Sequence, residues 1–183
     1  MPSSNQLISS IAAIGIASVN ADFGPAFSTG PVADGSFIRE STSTLVGMGT
    51  SNGDLIQSIA ENWQSSTWDI YAYTLLSTGH KDDDSTGNYT QTVTQNGNVV
   101  STLSTSDAHA LGWGSAVECA ATDCGTVPAH KWINTQIIMD VADPNYINTL
   151  YKGSGVTDNM VTADGGKTWT VSTISIPQFT FTG

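Results

Sequence analysis

The chain has 183 residues, which suits a single domain over residues 1–183 with a substantial buried core. Its 16 acidic and 5 basic residues give a net charge of −11. Phosphate groups are bound by clustered Lys and Arg, so we expect neither nucleic acid nor an anionic membrane surface as a partner. No apolar run approaches the length of a transmembrane helix.

The N-terminal third begins with an apolar segment and a loop. Leu7 to Val19 is apolar and Val19-Asn20-Ala21 resembles a cleavage site, but no Lys or Arg precedes it. We therefore interpret the segment as part of the fold, either a first core strand or a short helix. Residues 20–36 are rich in Gly and Pro and predict a loop. Location is left open between the cytoplasm and the cell exterior.

The next segments predict a helix, a strand and a loop. Over residues 54–63, apolar side chains recur at three- and four-residue steps after Asp54, which predicts a short helix. Thr67 to Leu76 is rich in aromatic and β-branched residues and predicts a strand. Residues 77–88 are polar and predict a loop.

An acidic triplet lies within this polar loop. Asp82, Asp83 and Asp84 offer carboxylate oxygens, the ligands that calcium and magnesium prefer. Adjacent carboxylates do not all point at one ion, and the spacing is not that of an EF-hand. The alternatives are a weak divalent-cation site at these residues and a solvated loop.

A β-hairpin is predicted from Tyr89 to Leu103. Two alternating runs flank Asn96-Gly97, and Asn-Gly is the strongest short hairpin signal. Residues 104–130 show no periodicity and predict irregular structure. They contain Cys119 and Cys124, which form either a small disulfide loop or two thiols.

The C-terminal third predicts a long strand, a helix and a tight hairpin. Lys131 to Val141 alternates like a strand, and Asp143-Pro144 opens a short helix near 144–152. Thr162 to Trp169 reads S/T-x-D-x-G-x-T-W and resembles an Asp-box. In that motif the Asp ties its own turn, Gly takes a positive φ, and Trp packs back on the hairpin.

The predicted strands Thr67 to Leu76 and Lys131 to Val141 each have one face that mixes aromatic rings with amide or carboxylate groups. Rings provide stacking area for a ligand, and amide groups orient it. The alternative is a face that is partly covered and merely structural. The candidate ligand contacts are Tyr71, Tyr73, Trp132, Asn134 and Gln136.

Catalytic patterns are scarce. The histidines are His80, His109 and His130, and no Ser lies in a G-x-S-x-G motif. A glycosidase pair built on Glu61 or Glu118 has no supporting signal. We therefore expect a protein that is not an enzyme, with a small secreted hydrolase as the last alternative.

Gly53-Asp54-Leu55-Ile56, followed by the aromatic strand Trp68 to Tyr73, resembles elements of the PixA/AidA inclusion-body proteins. With its β-rich composition, the chain is similar to the fungal pink chromoproteins of oyster mushrooms, β-sandwich proteins that also resemble carbohydrate-binding modules. The resemblance implies a non-catalytic protein that holds a small organic chromophore and a metal ion. It assigns no individual binding residue.

The sequence thus predicts an all-β, antiparallel β-sandwich of jelly-roll-like form with one or two short helices. The function we expect is binding of a small ligand without catalysis. A noncovalent pigment and a glycan are the alternative ligands, and a homo-oligomer is among the alternatives for assembly.

Overall fold

The structure is a computed structural model that describes residues 22–46, 55–59, 76–95, 97–105, 109–119 and 125–181. Strands dominate these ranges, and the one helical element is a short 3-10 helix, Tyr146–Thr149. In chain order the strands are β1 (Asp22–Phe23), β2 (Phe27–Thr29), β3 (Ile38–Val46), β4 (Leu55–Ile59), β5 (Leu76–Asp83), β6 (Asn88–Gln95), β7 (Asn98–Thr105), β8 (Trp113–Cys119), β9 (Thr126–Val127), β10 (His130–Met139), β11 (Tyr151–Lys152), β12 (Val161–Thr162), β13 (Thr168–Ile176) and β14 (Phe179–Thr180).

Most of the strands form two antiparallel sheets. The larger has seven strands in the order β12-β13-β10-β3-β5-β6-β7, and the smaller is built around β8, which pairs with β1, β2 and β4. The sheets pack face to face, with the rings of Trp113 on β8 and Trp132 on β10 perpendicular at 6.5 Å. Phe27 on β2 packs edge-on against Trp113. The predicted antiparallel sandwich is therefore confirmed.

The core follows from period-two patterning on the long strands. In β13 the buried residues include Trp169, Val171, Ile174 and Ile176, while the Thr and Ser between them face solvent or are half-buried. Such alternation places one face of the sheet toward the second sheet. No helix in the described ranges has the length and apolarity needed to cross a bilayer.

Both predicted tight hairpins are confirmed. Gln95 pairs with Asn98 around Asn96-Gly97, and Gly97 has the positive φ of 82° that this two-residue turn needs. The Asp-box joins β12 to β13. The Asp164 carboxylate accepts hydrogen bonds from the Thr162 hydroxyl (3.0 Å) and the Thr168 backbone N–H (2.8 Å).

Trp169 and Gly166 lock the Asp-box hairpin onto the core. Trp169 is buried and packs beside Tyr146 with ring centroids 6.3 Å apart. Gly166 has φ 93°, and a Cβ there would lie 2.4 Å from the carbonyl carbon of Asp143. Glycine is therefore required at this position, where two loops touch.

The helix predicted over 54–63 is wrong where the structure describes it, and the helix predicted near 144–152 is reduced to a short 3-10 turn. Residues 55–59 are strand β4, paired with β8 from Leu55–Glu118 to Ile59–Gly114, and the rest of the predicted 54–63 helix lies outside the described residues. The spacing of Leu55 and Ile59 fits a helix and a strand equally well, so the hydrogen-bond ladder with β8 determines that this segment is a strand. Near 144–152 only Tyr146–Thr149 are helical, Asn145 rather than Asp143 is the N-cap, and Tyr151 and Lys152 belong to β11. The Asp143 carboxylate accepts a hydrogen bond from the Asn145 N–H within the preceding turn.

Two predicted loops contain strands. The polar stretch 77–88 is mostly β5, and only Asp84 to Gly87 form the turn to β6. The irregular region 104–130 contains β8, the central strand of the smaller sheet. Both strands are poor in β-branched residues, and their neighbours supply the hydrogen-bond ladder that local propensity does not predict. The predictions for residues 7–19, 67–75 and the Cys119–Cys124 pair fall outside what the structure describes, apart from the backbone of Cys119.

Candidate functional site

The predicted mixed face of β10 does not form, because the strand contains a bulge. Ile133 pairs with Thr44 and Gln136 with Thr42, so β10 has one residue more than β3 between these pairs. Asn134 takes the left-handed conformation at φ 54°. An extra residue reverses the alternation of side chains, which changes the face that each one occupies.

Trp132 therefore faces the core, and the predicted platform is divided. Trp132 is 2% exposed and packs against Trp113, whereas Asn134 and Gln136 are exposed on the opposite face of the sheet. Gln136 lies between Thr42 and Thr170, so its surroundings are hydroxyl groups rather than rings. Tyr71 and Tyr73 lie outside the described residues.

The acidic triplet is also divided among different surroundings. Asp82 is buried in β5, while Asp83 is exposed and accepts hydrogen bonds from the backbone N–H and hydroxyl of Ser85. These bonds lower the pKa of Asp83. Asp84 forms a 2.8 Å ion pair with Arg39. Within the described ranges, no three His, Cys, Asp or Glu side chains are grouped to hold a metal ion.

Buried Asp82 belongs to a group of residues that we call the His109 site. Contacts link four of them, His109, Asp82, Phe37 and Arg39, and the fifth is Gln91, which follows the cross-strand partner of Asp82 by two residues. The Nδ1–H of His109 donates to Oδ1 of Asp82 at 3.1 Å. The Asp82 side chain is almost fully covered, while half of the His109 side chain is exposed. Because the carboxylate accepts from Nδ1, the Nε2 of neutral His109 is the acceptor nitrogen.

An aromatic ring covers one face of the His109 imidazole. The ring of Phe37 stacks on His109 with centroids 3.8 Å apart and planes at 13°. The Arg39 guanidinium lies over the same Phe37 ring at 5.1 Å from its centroid. Phe37 and Arg39 flank the first residue of β3, and His109 precedes β8, so the site joins the two sheets.

Arg39 is fixed by two carboxylates. Its Nη1 donates to Asp84 at 2.8 Å, and its Nε and Nη2 lie 2.8 and 2.7 Å from Oδ1 of Asp140. The hydrogen bonds to Asp84 and to Asp140 raise the pKa of the Arg39 guanidinium. The negative charge that Asp84 and Asp140 bring to this end is therefore partly neutralised.

Two buried polar atoms of the His109 site have no hydrogen-bond partner among the residues that the structure describes. They are Oδ2 of Asp82, an acceptor, and Nε2 of Gln91, a donor. Asp82 pairs with Tyr89 across β5 and β6, and Gln91 follows two residues later, so both side chains lie on the inner face. Each is 6% exposed. Leaving such groups unpaired costs free energy, which favours a polar group from outside the chain.

Sequence reasoning identified Asp82 for a different role and missed the rest of the site. Phe37, Arg39, Gln91 and His109 come from distant segments and share no spacing pattern. The nearest signal is Asp107-Ala108-His109, which by itself does not indicate what the imidazole contacts. The pairing of β5 with β3 and β6, together with the bridge between Ile38 and Ala110, brings these residues together.

Comparisons with known proteins add no assignment. No protein-family model, no curated protein and no solved structure matches the chain. The resemblance to fungal chromoproteins and the divalent-cation site at Asp82 to Asp84 therefore stay predictions. Thermal melts in calcium, magnesium and EDTA test the latter, because an ion bound only by the folded chain raises the melting temperature.

Proposed function

We propose that this protein binds a small hydroxylated ligand, of the saccharide class, without transforming it. The observation that carries the proposal is the buried Asp82 carboxylate. One of its oxygens is hydrogen-bonded to His109, and the other has no partner in the part of the chain that the structure describes. A buried carboxylate oxygen needs a donor, and a ligand hydroxyl provides one.

The neighbouring groups complement such a ligand. A hydroxyl both donates and accepts, so one sugar ring can give a hydrogen bond to Asp82 and receive one from Gln91. The exposed edge of His109, backed by Phe37, adds an amphipathic ring of the kind that saccharide and small-molecule sites use. Arg39 supplies a third polar group at the rim.

The ligand test compares two aspartates on one strand. Wild-type protein is titrated with monosaccharides and short glucan, xylan and chitin oligomers by calorimetry. Asp82→Asn should weaken binding at least about tenfold, since a charged acceptor is lost at a buried site. Asp83→Asn is the matched control, because Asp83 is the exposed last residue of the same strand, and it should leave affinity unchanged.

A pigment remains the alternative ligand, and its test is the visible spectrum of protein from its natural source. An absorption band that is lost on denaturation would select the pigment. A colourless protein that is retained on a glycan column would support the saccharide. A colourless protein that binds no saccharide would refute the proposal.

A hydrolase is the second candidate, and one observation favours it. A carboxylate that accepts from Nδ1 of an imidazole is the pair that orients a general base in Ser-His-Asp enzymes. In the described part of the chain, the Asp82 bond is the only hydrogen bond of His109. If the protein hydrolyses chromogenic esters and His109→Gln abolishes this activity, the hydrolase is established in place of pure binding.

A further inference from the structure

The two edges of the seven-stranded sheet differ in how they are protected. At one edge, β12 has two residues and ends in the Asp-box turn. At the other, β7 has eight residues, and the described part of the chain pairs it with β6 alone. A long edge strand offers backbone donors and acceptors to another strand.

The β7 edge lacks the charged residues and prolines that commonly protect an edge strand from pairing. No charged residue and no proline occurs between Asp84 and Asp107. Charges and prolines are the common means of preventing edge-to-edge association. Instead β7 exposes the large apolar side chains of Val99, Val100 and Leu103. This surface therefore fits a partner that is itself an extended, uncharged strand.

We propose that the β7 edge pairs with β7 of a second copy of this chain, making one sheet that continues through both copies. Each copy carries a net charge of −11, so two copies repel each other over most of their surface. The uncharged segment from Ser85 to Ser106 is the place where they approach at least electrostatic cost. Antiparallel pairing of one strand with itself satisfies two-fold symmetry.

The bulge in β7 sets the register. Thr94 pairs with Val99 and Val93 with Ser101, so Val100 is the extra residue and Ser101–Thr105 is the regular stretch. Centring the two-fold axis on Leu103 sets Leu103 of one copy against Leu103 of the other on the inner face. On the outer face Thr102 then meets Ser104, a pairing that allows hydroxyl hydrogen bonds.

Sedimentation and light scattering test the proposal with two matched variants. Wild-type protein should be a concentration-dependent dimer that tightens with salt, since salt screens the repulsion. Leu103→Lys sets like charges opposite each other and should weaken association about tenfold or more. Val161→Lys changes an exposed valine on the opposite edge and should leave the dimer intact. A monomeric wild type, or a dimer unaffected by Leu103→Lys, would overturn the proposal.

The register has its own test. Directly opposed residues in an antiparallel pair have Cα atoms about 4.5–5.5 Å apart, which suits a disulfide. Under mild oxidation, Leu103→Cys should form a covalent dimer much faster than Ser104→Cys, whose symmetry mate is not opposite. Wild-type protein under the same oxidation controls for the native cysteines. Equal rates for the two variants would refute the Leu103-centred pairing.

Discussion

Two aspartates of the large sheet show how differently one side chain can be used. Asp164 is exposed, and its carboxylate accepts hydrogen bonds from the Thr168 backbone N–H and the Thr162 hydroxyl. These bonds, led by that of the Thr168 N–H, lower its pKa. Asp82 is buried, and one of its oxygens has no hydrogen-bond partner within the described ranges. The partners of Asp164 account for its presence in the turn, whereas Asp82 lacks a partner that a ligand can supply.

The two regions lie side by side and share Asp140. Its carboxylate binds Arg39 of the His109 site, and its backbone carbonyl accepts from the Lys167 ammonium group of the Asp-box. The backbone N–H of Met139 also donates to the carbonyl of Lys167. A change in one region must therefore be measured for its effect on the other.

The largest expected effect is in the Asp-box region. Trp169→Ala removes a ring that is 3% exposed and packs beside Tyr146. Truncating a buried Trp leaves a cavity and costs about 3–5 kcal/mol. Urea unfolding followed by circular dichroism measures this loss. A cost below about 1 kcal/mol would mean that the hairpin does not anchor the core.

Asp164→Ala separates turn stability from binding. Losing a side-chain cap of this kind should lower the melting temperature by about 2–4 °C. Ligand affinity should stay at the wild-type value, because Asp164 lies outside the His109 site. Calorimetric titration and a thermal melt of the same sample provide both measurements. A fall in affinity would show that the two regions are coupled through Asp140.

Gln91→Leu should have the opposite effects to Asp164→Ala: it should weaken ligand binding and leave the fold as stable as before or more so. Leucine has a similar volume and removes a buried donor that has no partner, so stability should be unchanged or rise by up to about 1 kcal/mol. Ligand affinity should fall, because the donor to the ligand is gone. Chemical unfolding and titration measure the two effects. A clear loss of stability would indicate that Gln91 serves the fold.

The smallest expected effect is a pH dependence from His130. Burial lowers the pKa of His130, although its Nδ1–H donates to the carbonyl of Pro128. The unfolded chain therefore takes up a proton before the folded one does. This contribution to stability is complete above the unfolded pKa of about 6.5 and is lost as pH falls toward the folded value.

Urea unfolding across this pH range, in wild type and His130→Gln, isolates the effect. The variant should lose less stability than wild type as pH falls through about 6.5. Identical pH profiles for the two proteins would show that His130 does not contribute.

Local features of the fold were predictable, and features that depend on pairing were not. The Asp-box lies within eight residues, and Asn96-Gly97 fixes its hairpin by itself, so both turns follow from sequence. The bulge at Asn134 leaves no sequence signature, and it moved Trp132 into the core. The β4 strand was assigned to a helix because five residues fit both periods.

The candidate site was predictable only through Asp82. His109, which is hydrogen-bonded to Asp82, lies 27 residues away along the chain, and Gln91 lies on the next strand. The sequence places Asp82 in a polar loop, but the ladder with β6 turns its side chain inward. Since that inward direction is set by pairing, the unpaired oxygen becomes apparent only in the structure.

The most direct test of the central claim is an NMR titration of the histidine rings with the saccharides that calorimetry selects. The ring resonances of His109, assigned through His109→Gln, should shift on saturation. Those of His130, which is buried at the start of β10, should not. Asp82→Asn should abolish the His109 shift at the same ligand concentration. A ligand that binds without moving the His109 resonances would contradict a site at Asp82.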